Sequence, residues 1–197
     1  MTPSPVRIGV LGTHSTGKTT LLKRIEMELR AQGIVVARTG HLAKRAAAAG
    51  LPKMQHHTAA STEWIIAQGI ADELAAIANG AEVVLVDRAS MDALAYFDAA
   101  MEFRGALAHR LERERLRLLA ATQLPKYDLL FATVLDESKP VDTEHDYDAR
   151  YRRLVDQHAH RLLAEDSIPH RRVTSDPDSQ AHAIDVAVQR CLKEAAV

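Results

Sequence analysis

An eight-residue stretch near the amino end, Gly12-Thr13-His14-Ser15-Thr16-Gly17-Lys18-Thr19, constrains this chain more than any other. It satisfies G-x-x-x-x-G-K-[ST] at every fixed position. Two glycines relieve the steric limits of a tightly curled backbone, so that consecutive N–H groups point inward at phosphate oxygens. The helix that follows adds its partly positive N-terminus. The lysine reaches the β- and γ-phosphates as a point charge, and the final threonine hydroxyl is placed to ligate magnesium. An ordinary glycine turn could match so short a pattern, but its surroundings favour a phosphate loop. Val6 to Leu11 is an apolar run broken only by Arg7, and Leu21, Leu22, Ile25 and Leu29 recur at helical spacing behind the loop. Gly12, Thr13, His14, Ser15, Thr16, Gly17, Lys18, Thr19 and Thr20 are therefore assigned to nucleotide phosphate, Lys18 also to catalysis and Thr19 to the metal. His14 fills a variable position and reads as a bystander to the chemistry.

The rest of the chain is that of an ordinary folded protein. Its 197 residues suit one domain, 1–197, and 47% hydrophobic with 26% charged residues argues against disorder, collagen and coiled coil. Lysine plus arginine number 25 against 26 aspartate plus glutamate, a formal charge of -1, so no long-range field attracts nucleic acid or an anionic membrane. Cys191 stands alone, which excludes an internal disulfide and a cysteine zinc site and suggests a reducing compartment. The first residues lack the features of a secretory leader, and no window approaches the roughly 20 apolar residues of a membrane span. A cytoplasmic location is expected, and a homodimer is compatible with the composition.

Strand and helix signals alternate along the chain. Strands are expected at Val6–Leu11, Ile34–Ala37, Val83–Val86, Leu129–Leu135 and Pro169–Val173; helices are expected at 18–31, 41–49, 58–78, 90–100, 106–122, 147–164 and 179–195. Val83-Val84-Leu85-Val86 is continuously apolar, the pattern of a strand covered on both faces. The fold class is α/β, a mostly parallel sheet between layers of helices.

Asp87-Arg88 ends the buried strand, with Ser90 and Asp92 just beyond. Ligands of open α/β sheets bind outside the carboxyl ends of the strands, so this pair shares a rim with the phosphate loop. Asp87 can hold magnesium or accept a proton from a substrate hydroxyl, and Arg88 can neutralise charge on a transferring phosphoryl group. A helix-capping aspartate with a surface arginine is the plainer alternative. The polar segment 136–153 suggests a lid, with Arg150 nearest the loop as its charge-screening residue and Arg153 one turn later. Arg152 lies between them.

Other features read as structure. The Arg110 to Arg117 charges alternate with Glu112 and Glu114, as on a solvated helix face. His56-His57 and His158/His160 have spacings that do not share a helix face, which disfavours a metal site. Trp64 reads as core packing, although with Gln68, Asp72 and Glu73 it could line a substrate pocket.

With Gly-Thr-His-Ser-Thr-Gly-Lys-Thr-Thr-Leu at 12–21 and Val-Asp-Arg-Ala-Ser-Met-Asp-Ala-Leu-Ala-Tyr at 86–96, the chain resembles small P-loop kinases and ATPases related to nicotinamide riboside kinase domains. More distantly it resembles deoxynucleoside and thymidylate kinases. The Tyr127-Asp128 lead and the Lys139-Pro140-Val141-Asp142 segment extend the likeness. The resemblance implies a P-loop NTPase three-layer α/β/α sandwich with a five-stranded parallel sheet, the Asp87 strand beside the loop strand. It also implies ATP and Mg2+ as cosubstrates and a small nucleoside-like acceptor. One departure stands out: relatives carry an acid after the second strand followed by Ala-Arg, where this chain has His41-Leu42-Ala43-Lys44. Lys18, Asp87, Arg88 and Arg150 are the expected catalytic set, with Thr19 and Asp87 at the metal. The expected activity is transfer of the γ-phosphoryl of ATP to a small hydroxyl compound. The competing expectation is an ATPase or nucleotide-dependent switch acting on a macromolecule.

Overall fold

The structure, a computed structural model, describes residues 4–139, 141 and 148–195. In chain order it contains β1 (Val6–Leu11), α1 (Lys18–Ala31), β2 (Val36–Thr39), α2 (Leu42–Ala48), α3 (Ala59–Ala78), β3 (Val83–Asp87) and α4 (Ser90–Phe103). These are followed by α5 (Arg110–Ala121), β4 (Leu129–Thr133), α6 (Ala149–Glu165), β5 (Arg171–Val173) and α7 (Pro177–Ala195). The strands form one sheet in the order β2-β3-β1-β4-β5, with every pair parallel.

Strand alternation distributes the core between the two faces of the sheet. Val6, Ile8, Val10 and Phe131 face α1 and α7, packing on Leu21, Leu22, Ile25, Leu29, Ala183 and Ile184. Leu11, Leu130 and Ala132 face the other way, onto α3, α4, α5 and α6. Leu22, Ile25 and Leu29 are fully buried, and each contributes roughly 2 kcal/mol of burial. The α/β/α sandwich expected from the alternating signals is thus present, with β3 beside β1 as the resemblance implied.

Boundaries moved where tertiary pairing overrides local pattern. β2 was expected at Ile34–Ala37 but pairs from Val36 to Thr39, in register with Val83 to Val86. Before it, the Val35 carbonyl accepts from the Glu82 and Val83 amides. This two-residue shift brings Gly40 against the end of β3, where an added Cβ would lie 3.2 Å from the Cβ of Asp87. α6 begins at Ala149, capped by the Asp148 carboxylate, which accepts from the Tyr151 amide at 2.9 Å. The expected lid falls partly on residues 140 and 142–147, including Pro140 and Asp142, which lie outside the described residues. Among the described residues, no helix is long and apolar enough to cross a membrane.

Candidate active site

All five strands end on one rim, and the chemistry-bearing side chains gather there. Gly12 has φ +136°, and a Cβ on it would sit 2.2 Å from Thr133 Oγ1, so only glycine lets the loop turn off β1 against β4. Gly17 (φ +84°) opens α1. Ser15 also has positive φ, 55°. The loop is internally tied: Thr16 Oγ1 donates to the Thr13 carbonyl at 2.8 Å and meets Thr133 Oγ1 at 2.7 Å. Lys18 is buried and donates to the Thr13 carbonyl. Burial, with Arg88 adding to it, pushes the Lys18 ammonium down to about 8 against the pull of Asp92, Asp87 and Asp156.

The β3 end meets this loop directly. The Thr19 hydroxyl donates to Asp87 Oδ2 at 2.7 Å. Arg88 takes φ 79°, and both its amide and that of Ala89 donate to the Val10 carbonyl, a sharp turn that locks the start of α4 to β1. Its guanidinium donates to Asp92 at 2.9 Å and lies 4.7 Å over the Tyr96 ring. Asp92, buried at 1% exposure, receives the Gly12 amide on its other oxygen at 2.8 Å. One carboxylate thus holds the first loop amide and the Arg88 side chain together.

The arginines of α6 divide. Arg150 is exposed and stacks over Phe103, its guanidinium carbon 5.3 Å from the ring centroid. Arg153 pairs with Glu137 at 3.0 Å. Arg152, 2% exposed, is the one at the loop, donating to the His14 carbonyl at 3.2 Å and the Ser15 carbonyl at 3.0 Å. Helical phase carries a signal for it. Arg152 continues the stripe of Val155, Ala159 and Leu162 one turn toward the amino end, and an arginine on an apolar face marks a buried cation. Proximity along the sequence favours Arg150 only until that phase is fixed.

Beyond Arg88 lies a pocket walled by α2, the 3-10 turn Met54–His56 with His57, α3 and α4. Leu42, Met54, Ile65, Ile66 and Ile70 make it mostly apolar, with Arg88, Asp92, Tyr96, His57 and Glu73 among the polar groups. Its free volume is about 30 Å3, room for about two waters. Arg104 of α4 anchors the turn through the Gln55 and His57 carbonyls. Burial, with Arg88 and Arg104 adding to it, pushes the His57 imidazole down to about 4, so the ring is neutral at pH 7. Glu73 is buried; Tyr127 donates to it at 3.1 Å and Arg7 pairs with it at 3.4 Å, yet burial raises its pKa.

Several expected residues fall elsewhere. Asp72 pairs with Arg45 and accepts from Gln68 at 2.8 Å, apart from the pocket lining, while Trp64 packs on the core. His41 takes φ 58° at the start of α2. Arg113, Arg115 and Arg117 pair with Asp98, Glu63 and Asp166 respectively, carboxylates outside α5, of which Asp98 is buried. His158 meets Glu102 at 2.8 Å, and among the described residues no group of three His, Cys, Asp or Glu side chains could hold a metal.

Comparison with known proteins agrees with this fold. Structurally, the chain is similar to a NadR protein in complex with NAD and AMP-PNP (TM-score 0.69, 20% identity, 95% of this chain and 49% of that one). It is also similar to a NadR protein in complex with NR (TM-score 0.68, 18% identity, 95% and 51%). A deoxyadenosine kinase from M. mycoides with bound dCTP matches at TM-score 0.60 and 9% identity, over 94% of this chain and 100% of that one. Identities this low establish a shared P-loop NTPase fold, and the chain spans about half the length of the NadR chains. No curated protein sequence matches it. Residues 7–179 match the AAA domain family, and the chain belongs to that family.

Proposed function

We propose that this protein transfers the γ-phosphoryl group of ATP to a hydroxyl of a nucleoside-like or other small metabolite. The observation that carries the reading is the 2.7 Å contact between Thr19 Oγ1 and Asp87 Oδ2, which ties the phosphate loop to the end of β3 beside Arg88, a residue that lines the apolar pocket. Asp92, which accepts the Gly12 amide and lines the pocket, joins the donor cradle to the acceptor cavity.

In this reading the loop amides and Lys18 hold the triphosphate, so most of the rate comes from positioning and charge stabilisation. Asp87 orients the acceptor hydroxyl and receives its proton as the oxygen bonds to the γ-phosphorus and the bond to ADP breaks. Arg88, fixed by Asp92, neutralises charge on the transferring group. Arg150 stacks on Phe103 while Arg152 donates to the loop carbonyls, so the support given to the loop passes to Arg152. A hydroxyl and a carboxylate side by side are hard oxygen donors, and Mg2+ commonly takes only one or two protein oxygens beside phosphates and waters. Thr19 and Asp87 fit that ion, which when bound would draw charge from the phosphate oxygens.

The test is a panel of nucleosides, sugars and hydroxylated metabolites incubated with ATP, Mg2+ and the purified protein, reading ADP and product mass. A phosphorylated product absent from a Lys18→Ala control is expected. ADP release that rises only with an added protein, without any phosphorylated metabolite, would favour the ATPase or switch instead.

A further inference from the structure

The acceptor pocket has an unusual charge inventory. It is lined by two carboxylates, one guanidinium and one imidazole, and each oxygen of both carboxylates already has a partner within the protein. Asp92 accepts the Gly12 amide on one oxygen and Arg88 on the other, at 2.8 and 2.9 Å. Glu73 accepts the Tyr127 hydroxyl on one oxygen and faces Arg7 with the other, at 3.1 and 3.4 Å. The aromatic face of Tyr96, which could otherwise receive a cation, is covered by Arg88 at 4.7 Å. The remaining walls from α2, α3 and the 54–57 turn are aliphatic apart from His57.

We infer that the pocket takes the ring end of an uncharged acceptor and rejects a cationic ring; the inference rests on the phosphotransfer reading above. A permanent cation entering here would find both carboxylates already paired and Arg88 already over the Tyr96 ring, and it would approach the like charge of Arg88. Leaving an ion unpaired in so apolar a site is strongly unfavourable. The neutral state of His57 at pH 7 supplies no compensating charge. An uncharged ring can pack on the aliphatic wall of Leu42, Ile65, Ile66 and Ile70 and on the unbranched, compliant Met54, whose movement would widen the cavity.

Two ribosides that differ by one hydride isolate the charge. Nicotinamide riboside carries a permanent pyridinium cation, whereas its reduced dihydropyridine form has the same hydroxyls and nearly the same size without the charge. With ATP and Mg2+, kcat/KM for the reduced form should exceed that of the oxidised form at least tenfold. Calorimetry beside a non-hydrolysable ATP analogue should show the same order of affinity. Arg88→Gln removes the like charge and frees Asp92, so it should narrow that ratio several-fold even as overall turnover falls; a merely structural role would lower both ribosides alike. Equal use of both ribosides, preference for the oxidised one, or an unchanged ratio in Arg88→Gln overturns charge selection and leaves phosphotransfer standing. No binding of either overturns the pocket as a ring site, and no phosphorylated product across the wider panel overturns phosphotransfer itself.

Discussion

The two ends of the rim are built by opposite strategies. At the donor end a contiguous loop makes its contacts largely with backbone: Lys18 and Thr16 reach the Thr13 carbonyl, Arg152 reaches those of His14 and Ser15, and Asp92 receives the Gly12 amide. At the acceptor end, side chains from four separate elements make an apolar cavity around one arginine. The difference follows from the ligands. Every nucleoside triphosphate presents the same phosphates, which main-chain amides can bind without regard to the rest of the molecule. Acceptors differ in their rings, so their recognition has to reside in side-chain shape and charge.

The largest effect that would break this contrast concerns Lys18. Lys18→Ala should lower turnover on the order of 10³-fold, the scale of losing one stabilising contact to the transferring charge. Its thermal midpoint should not fall, because the wild-type ammonium is held protonated in a buried site. Wild-type turnover in that variant would remove the donor end from the chemistry. Next is Asp92, the link between the two ends. Asp92→Ala removes the buried acceptor of the Gly12 amide and the partner of the half-buried Arg88, and should cost about 2–3 kcal/mol in chemical denaturation; a loss under about 1 kcal/mol would mean the ends are independent.

Asp87→Asn should reduce kcat about 10²-fold while ATP affinity, measured by calorimetry, changes little. An equal loss in both would make Asp87 a phosphate-side residue only. The pH dependence of nucleotide binding comes next. Burial lowers the Lys18 pKa from 10.5 to about 8, so the folded protein favours the neutral amine relative to the unfolded chain. Stability from this group is therefore lowest below pH 8 and rises between pH 8 and 10.5, while ATP affinity falls as pH climbs through 8, by at most about tenfold per unit. Affinity flat from pH 7 to 10 in titration calorimetry would contradict it.

The smallest effect separates the arginines of α6. Arg150→Ala, which removes only a stacking contact on Phe103, should alter KM for ATP by less than about threefold. Arg152→Lys, which keeps the charge and loses the two-pronged contact, should raise that KM roughly tenfold. The reverse ranking would restore the arginine nearest the 136–148 segment as the one that matters.

The donor end was legible because its physics is local. A curled loop between a strand and a helix needs glycine where φ is positive, and Gly12 and Gly17 stand where the structure has that geometry. The order of strands and helices was equally readable, since Val83 to Val86 and the Leu21, Leu22, Ile25 and Leu29 stripe carry their own periods. The acceptor end was read only in fragments. Glu73 and Asp72 are neighbours on α3, yet one lines the pocket and the other pairs with Arg45 at the surface. Spacing along the chain favours Arg150 over Arg152 because it does not say which face of α6 meets the loop.

The sequence by itself determined the sandwich, the phosphate loop and the presence of Asp87-Arg88 at a strand end, because each depends on residues adjacent in the chain. Only the tertiary structure decided what those residues touch. Asp92 joins Gly12 to Arg88, Glu73 is neutralised from β1, and the two-residue shift of β2 sets Gly40 against Asp87. Partners 66 to 80 positions apart meet through packing of helices on a sheet, and no local period encodes that meeting.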